Sequence, residues 1–138
     1  MHFVIRPEVA GGLGPLTKMD HTRQPATVER LNYEFDGWLG DELLTSYPCF
    51  IITERVRDEL VSLAATGAEF GPVIVTKSQT FEELYPGRSL PQSHWLKVLG
   101  RPGIDDIAEV QGELVVSDRV LARLEDCIRN AEIRPHTP

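Results

Sequence analysis

One stretch occurs twice in this chain, and nothing else in it constrains the fold as strongly. Residues 50–72 read FIITERVRDELVSLAATGAEFGP and residues 114–135 read LVVSDRVLARLEDCIRNAEIRP. Ile51, Ile52, Thr53, Glu54, Arg55, Val56 and Leu60 match Val115, Val116, Ser117, Asp118, Arg119, Val120 and Leu124 at an offset of 64. Ala68, Glu69 and Pro72 match Ala131, Glu132 and Pro135 at an offset of 63. The slip of one residue is expected where each helix ends, because a loop there absorbs it.

The physics of the unit follows from its residue types. Ile51-Ile52 and Val115-Val116 are β-branched and suit a strand. Thr53 and Ser117 are N-cap residues, since a side-chain oxygen accepts from an orphan helix N–H. Glu54 and Asp118 then set negative charge at the positive end of the helix dipole. Val56, Leu60, Leu63 and Ala64 follow helical spacing, as do Val120, Leu124, Cys127 and Ile128. Gly67 and Asn130 are the expected helix terminators, and short extended runs follow each. The expected fold is α+β: a single domain over 1–138, with two pseudo-repeated strand–helix–strand units at about 50–75 and 114–135 and a mixed or antiparallel sheet. Two copies are too few for a solenoid.

Between the units the chain reads as short elements joined by turns. A first strand is expected at 3–5, ended by Pro7. Residues 11–15 (GGLGP) read as a turn with close backbone approach, not a phosphate-binding loop, because neither the dinucleotide glycine pattern nor a Gly-Lys-Ser/Thr follows. Residues 17–24 read as a loop and 31–35 as a half-buried strand. Asp36-Gly37 signals a turn, with a short helix expected after it that docks Trp38, Leu39, Leu43 and Leu44. One helical turn is expected at 80–84, capped by Thr80 with Glu83 as its reciprocal partner. A strand is expected at 94–99, a loop at 100–106, and a mobile tail from Arg134.

Composition narrows the function. The 138 residues are 41% hydrophobic and 25% charged, which fits one ordinary globule with a real core. Fourteen basic against 21 acidic side chains give a net charge of −7. That argues against non-specific nucleic-acid binding and favours attraction to a basic partner. No apolar run approaches a membrane span, and the N-terminal residues lack the basic region of a signal peptide. Cys49 and Cys127 are expected to be buried core residues rather than a disulfide framework, which favours a cytoplasmic setting.

No catalytic, metal or cofactor site is expected. His2, His21, His94 and His136 lack the spacing of zinc ligands. Ser93 and His94 are adjacent on a strand and point to opposite faces. The acidic pairs Asp41-Glu42, Glu82-Glu83 and Asp105-Asp106 need a special environment before they act as acid and base. Arg55 and Arg119 recur early in each helix, where a cation opposes the dipole, so a compensating carboxylate is expected. Asp36, Trp38, Asp41 and Glu42 form the expected partner-binding patch: an aromatic residue among acids makes an anchor. The alternative reading of Trp38 is a cap on the core.

The Thr/Ser-Glu/Asp-Arg-Val-x-x-x-Leu unit, followed a helix later by Ala-Glu-apolar-x-Pro, resembles the myxobacterial-type immunity domain. That family comprises immunity proteins of bacterial polymorphic toxin systems. The matching residues are 50–73 and 114–135; residues 11–14 and 35–50 lie outside the pattern. The resemblance implies a cytoplasmic protein that binds and neutralises a cognate toxin with a basic surface, as a monomer or dimer, and it supplies no catalytic residues. Two other classes are consistent with the residues: a secretion chaperone or adaptor for an effector, and a small enzyme.

Overall fold

Both copies of the repeat adopt the same shape, and the shape is larger than the sequence match. The computed structural model describes residues 1–24 and 26–137. In chain order the strands and helices are β1 (His2–Arg6), β2 (Gly11–Leu13), β3 (Lys18–Asp20), β4 (Thr27–Arg30), β5 (Asn32–Phe35), β6 (Leu43–Ser46), β7 (Cys49–Thr53), α1 (Glu54–Ser62), β8 (Ala68–Gly71), β9 (Ile74–Lys77), α2 (Gln79–Leu84), β10 (Ser93–Val98), β11 (Ile107–Val110), β12 (Glu113–Ser117), α3 (Asp118–Leu124) and β13 (Glu132–Pro135). A 3-10 turn at Glu125–Cys127 extends α3. The chain is one α+β domain with antiparallel and mixed sheets.

Each unit is a hairpin, a capped helix and a returning strand. Thr53 and Ser117 have the same backbone angles, φ −71° and ψ 163°, and each hydroxyl accepts from the third residue on, Val56 or Val120. The hairpins share one register. Leu43 faces Ile52 and Ser46 faces Cys49; 64 residues later Ile107 faces Val116 and Val110 faces Glu113. The repeat therefore begins upstream of the β-branched strands, at Asp41-Glu42 and Asp105-Asp106.

Each unit completes its sheet with a strand from elsewhere in the chain. The sheet orders are β6-β7-β10-β8 and β11-β12-β1-β13. In the first, β10 lies antiparallel between β7 and β8; in the second, β1 lies antiparallel between β12 and β13. Lys97 faces Glu69 in one, and Arg6 faces Glu132 in the other. Past these strands the chain crosses over. Glu8 bridges Leu44 on the first hairpin, and Gly100 bridges Ala108 on the second.

The two units interlock through their acids. Asp106 accepts from the Ser117 hydroxyl (2.7 Å) and from Arg119 Nε and Nη2 (2.9 and 2.7 Å). Glu42 accepts from the Thr53 hydroxyl (3.0 Å) and Arg55 Nη1 (2.9 Å). Each arginine then reaches the other unit's helix end. Arg119 donates to Leu63 O and Ala64 O, beyond α1. Arg55 approaches Asp126 in the turn beyond α3. A cation that opposes its own helix dipole thus faces the negative end of the other. Glu59 and Arg123, 64 residues apart, pair at 2.9 Å where α1 meets α3. That is the contact expected on a pseudo-twofold axis.

The main core lies inside this paired body. Ile52, Val56, Leu60 and Leu96 of one unit pack with Val116, Val120, Leu124 and Ile5 of the other. A second core covers the far face of the first unit's sheet. There Tyr33, Phe35 and Leu31 from β5 and its start pack on Leu44 and Ile51, with Phe81 of α2 sealing the edge. This outer layer is the three-stranded sheet β2-β5-β9, in which β5 and β9 run parallel.

Several local expectations are corrected. Residues 36–42 form no helix; Leu43 begins a strand, and Leu39 points to solvent. The α1 helix ends with Ala64 at φ 53°, not with Gly67. Gly67 lies in the stretch where the offset between the units changes from 64 to 63. It is required for close approach: a Cβ there would lie 2.1 Å from Ile107 O. Gly67 does take the expected positive φ, 92°, but beyond the helix end, whereas Asn130 does not; α3 closes through the 3-10 turn. Residues 11–13 are strand β2, and the close approach is real, since a Cβ on Gly11 would lie 1.9 Å from Glu34 O. Lys18–Asp20 is a strand rather than loop. The cap of α2 is Ser78, which accepts from Phe81, rather than Thr80. The tail from Arg134 is held through residue 136, as His136 N–H donates to His2 O; Pro138 lies outside the described residues.

The two acid nodes differ in depth, and their energetics should differ with them. Asp106 also accepts from Thr66 N–H and is buried, so Asp106→Ala leaves several donors unmatched. The expected cost is about 3 kcal/mol. Glu42→Ala, nearer solvent, should cost about 1 kcal/mol, both read from urea denaturation. The Arg119 guanidinium, with Thr66 N–H and the Ser117 hydroxyl, holds the Asp106 carboxyl well below the usual carboxylate range. Its stabilisation is present above the unfolded value of about 3.9 and is lost as pH falls below it. Stability measured from pH 5 to pH 2 should fall more steeply in the native chain than in Asp106→Asn.

Candidate functional site

The segment 36–42 is the surface that the sequence marks for a partner, and its mounting decides which of its residues are free. Asp36 and Gly37 donate their N–H groups to Ala10 O at 2.9 and 3.1 Å. The buried Glu8 carboxylate accepts from Leu39 N–H (2.7 Å) and Asp41 N–H (3.2 Å). Trp38 Nε1 donates to Asp41 O at 2.9 Å. Five backbone or indole donors thus fix the loop from within.

The four predicted residues divide accordingly. Asp41 is only 3% exposed, and its carboxylate accepts from Asn130 N–H (2.9 Å) and Asn130 Nδ2 (2.8 Å). It ties the loop to the end of the second unit and presents no charge to a partner. Glu42 is taken up by Thr53 and Arg55, as above. Trp38 is half-buried: its ring meets Phe35 edge-on at 6.1 Å, and the Arg88 guanidinium lies over it at 4.5 Å. Arg88 also stacks on Tyr85 at 4.9 Å and donates to Trp38 O. Lys77 Nζ in turn donates to Arg88 O. Trp38 thus serves as a cap on the outer core while its edge borders the surface. Asp36 is exposed.

The residue that sequence reasoning misplaced is Leu39. It is 71% exposed, between Trp38 and Gly40, on a loop whose backbone is pinned by Glu8 and Ala10. The signal available was Gly37 and Gly40 on either side of Trp38-Leu39, which opposes a helix. Glu8 was missed as well, because an acid alone near a proline gives no sign that it will gather N–H donors thirty residues on.

The other titratable candidates have structural roles. Ser93 Oγ donates to Pro91 O, while the buried His94 Nε2 faces Glu54 Oε1 at 3.7 Å without a hydrogen bond. Serine and imidazole do not meet. Tyr33 OH accepts from Ala10 N–H and donates to Thr45 O, pinning the outer sheet to β6, and burial pushes its pKa up to about 12. Burial likewise pushes the Cys49 and Cys127 thiols up to about 11. Both cysteines are free. Among the described residues no three His, Cys, Asp or Glu side chains are placed to hold a metal ion. No helix among them is long and apolar enough to cross a membrane.

Two outcomes check this assignment. Asp41→Ala should destabilise the chain by about 2 kcal/mol, because two donors of Asn130 lose their acceptor, whereas Asp36→Ala should leave the unfolding midpoint unchanged. Neither cysteine should react with a disulfide-exchange reagent at pH 7 in the native chain, since the thiolate is the reactive form. Both should react once urea unfolds it.

No model of a known protein family matches this chain, and no curated protein matches it either.

Proposed function

We propose that the chain is a non-catalytic binding protein that neutralises a cognate bacterial toxin in the cytoplasm by covering its active site. The observation that carries this reading is the mount of residues 36–41. One loop exposes Asp36 and Leu39 and half-buries Trp38, on a backbone already fixed by Glu8, Ala10 and Asn130. Such preorganisation removes ordering cost on binding. An apolar anchor with neighbouring charge is the composition of a contact centre.

Two further features support it. The repeated units resemble the myxobacterial-type immunity domain over 50–73 and 114–135. The net charge of −7 speeds encounter with a basic surface. Within the proposed patch, Asp36, Trp38 and Leu39 make the contact, and Asp41 and Glu42 hold the loop that presents them.

The test is protection from growth arrest. Reading frames neighbouring this one are expressed in a bacterial host with and without the chain. At least one should arrest growth, and the native chain should restore it. The double variant Asp36→Lys, Leu39→Asp should lose protection while its melting temperature stays within about 2 °C of the native value. Full protection by the double variant rejects this patch, and arrest that the native chain never relieves rejects the toxin reading.

A further inference from the structure

The outer edge of β9 differs from the edges of the two four-stranded sheets. The hairpin edges are met by Glu8 and Gly100. The β13 edge carries Glu132, Arg134 and Pro135, and Pro72 follows β8. Charge, proline and covering segments are the means by which proteins blunt sheet edges. By contrast, β9 is Ile74-Val75-Thr76-Lys77, β-branched for three residues with no proline inside it.

The edge is both unpaired and rigid. Ile74 N–H donates to Leu31 O and Ser78 N–H to Phe35 O. In a parallel ladder this phase turns residues 74 and 76 toward β5 and turns Val75 and Lys77 outward. Their outward N–H and C=O groups make no hydrogen bond with any described residue. Asn32, fully buried, donates from Nδ2 to Ile74 O and to the Thr76 hydroxyl, each at 3.0 Å, and so fixes β9 in place.

Space lies alongside. Two adjoining grooves of about 580 and 600 Å³ share Val75, Pro91 and Gln92 in their walls. One continues toward Phe70 and His94, the other toward Lys77 and Leu90. The edge is thus one side of a trough whose other side is the segment 90–93. A second copy would bring its own segment 90–93 against this one, which disfavours edge-to-edge pairing of two chains. A single extended strand has no such wall.

We propose that this trough takes an extended segment of a partner protein, added as a strand beside β9. The recognition chemistry is backbone hydrogen bonding to Val75 and Lys77, with the partner's alternate side chains set against Val75 and Pro91. The proposal deepens the binding reading above, on which it rests only in taking the occupant to be protein. It fails separately from that reading.

The test uses the full chain and a displayed library of random peptides of about ten residues. Selected peptides should slow amide hydrogen exchange at Val75 and Lys77, and backbone N-methylation at alternate positions should abolish their binding. Val75→Pro removes an outward N–H without touching the ladder to β5, and should weaken binding about tenfold. An absence of selected peptides, or peptides that leave exchange at both amides unchanged, overturns the proposal. Should the proline variant fail to fold, the exchange measurement on the native chain decides. Growth protection that survives Val75→Pro overturns the trough as the toxin's contact and leaves the patch at 36–39 standing.

Discussion

A carboxylate that holds a helix cap and an arginine at once is the contact on which this fold depends. Asp106 gathers the Ser117 hydroxyl and the Arg119 guanidinium, and Glu42 gathers Thr53 and Arg55. In each case the arginine springs from the first turn of the helix being capped. There it would oppose the dipole if it had no other role. Its role is to reach across to the end of the opposite helix: Arg119 meets the carbonyls of Leu63 and Ala64, and Arg55 approaches the Asp126 carboxylate. The node therefore orients three things together: the start of one helix, the end of the other, and the segment that leads into the hairpin. In the second unit Asp106 alone accepts from the hydroxyl, the arginine and Thr66. In the first unit the work is divided, with Glu42 holding the cap and arginine, and Asp41 holding Asn130.

The core is symmetric and the surface is not. Only the first unit carries an outer layer, the β2-β5-β9 sheet with α2, and both proposed contact regions belong to it or to its borders. The exposed loop at 36–39 leaves β5 and is locked by Arg88 beyond α2. The trough follows the free edge of β9. A repeated body gives stiffness, and single-copy additions give it a distinct face. This also tempers the meaning of the net charge. Asp41, Glu42, Asp106 and Glu8 are acids that serve inside the fold, so the acidic balance is not a map of one binding patch.

Much of the scaffold was legible in the residues. Caps at Thr53 and Ser117, the β-branched strands before them and the helical spacing after them are local features with local causes, and they appear as the sequence predicts. The partners of Arg55 and Arg119 were not legible, because a carboxylate thirteen residues away competes with nearer ones. Yet Asp41-Glu42 and Asp105-Asp106 stand at the same offset of 64 as the rest of the repeat, and extending the alignment upstream would have found them. The central strands were expected, but their places in the sheets were beyond reach: β10 and β1 occupy matching positions yet come from opposite sides of their units. Of the predicted patch, the exposure of Asp36 fits a contact role. Asp41 does not, since its acceptors are satisfied by a residue nearly ninety positions away, which no short-range pattern encodes.

The central claim is that the two repeats are halves of one body, joined by crossed arginines and a common core. Native-state hydrogen exchange tests it most directly, through the amides of Val56 and Val120, the equivalent capped positions in α1 and α3. If the halves are interlocked, both amides exchange only by global opening and report one free energy, equal to that of urea unfolding. Separate free energies for the two, with one helix opening while the other stays protected, would contradict the account.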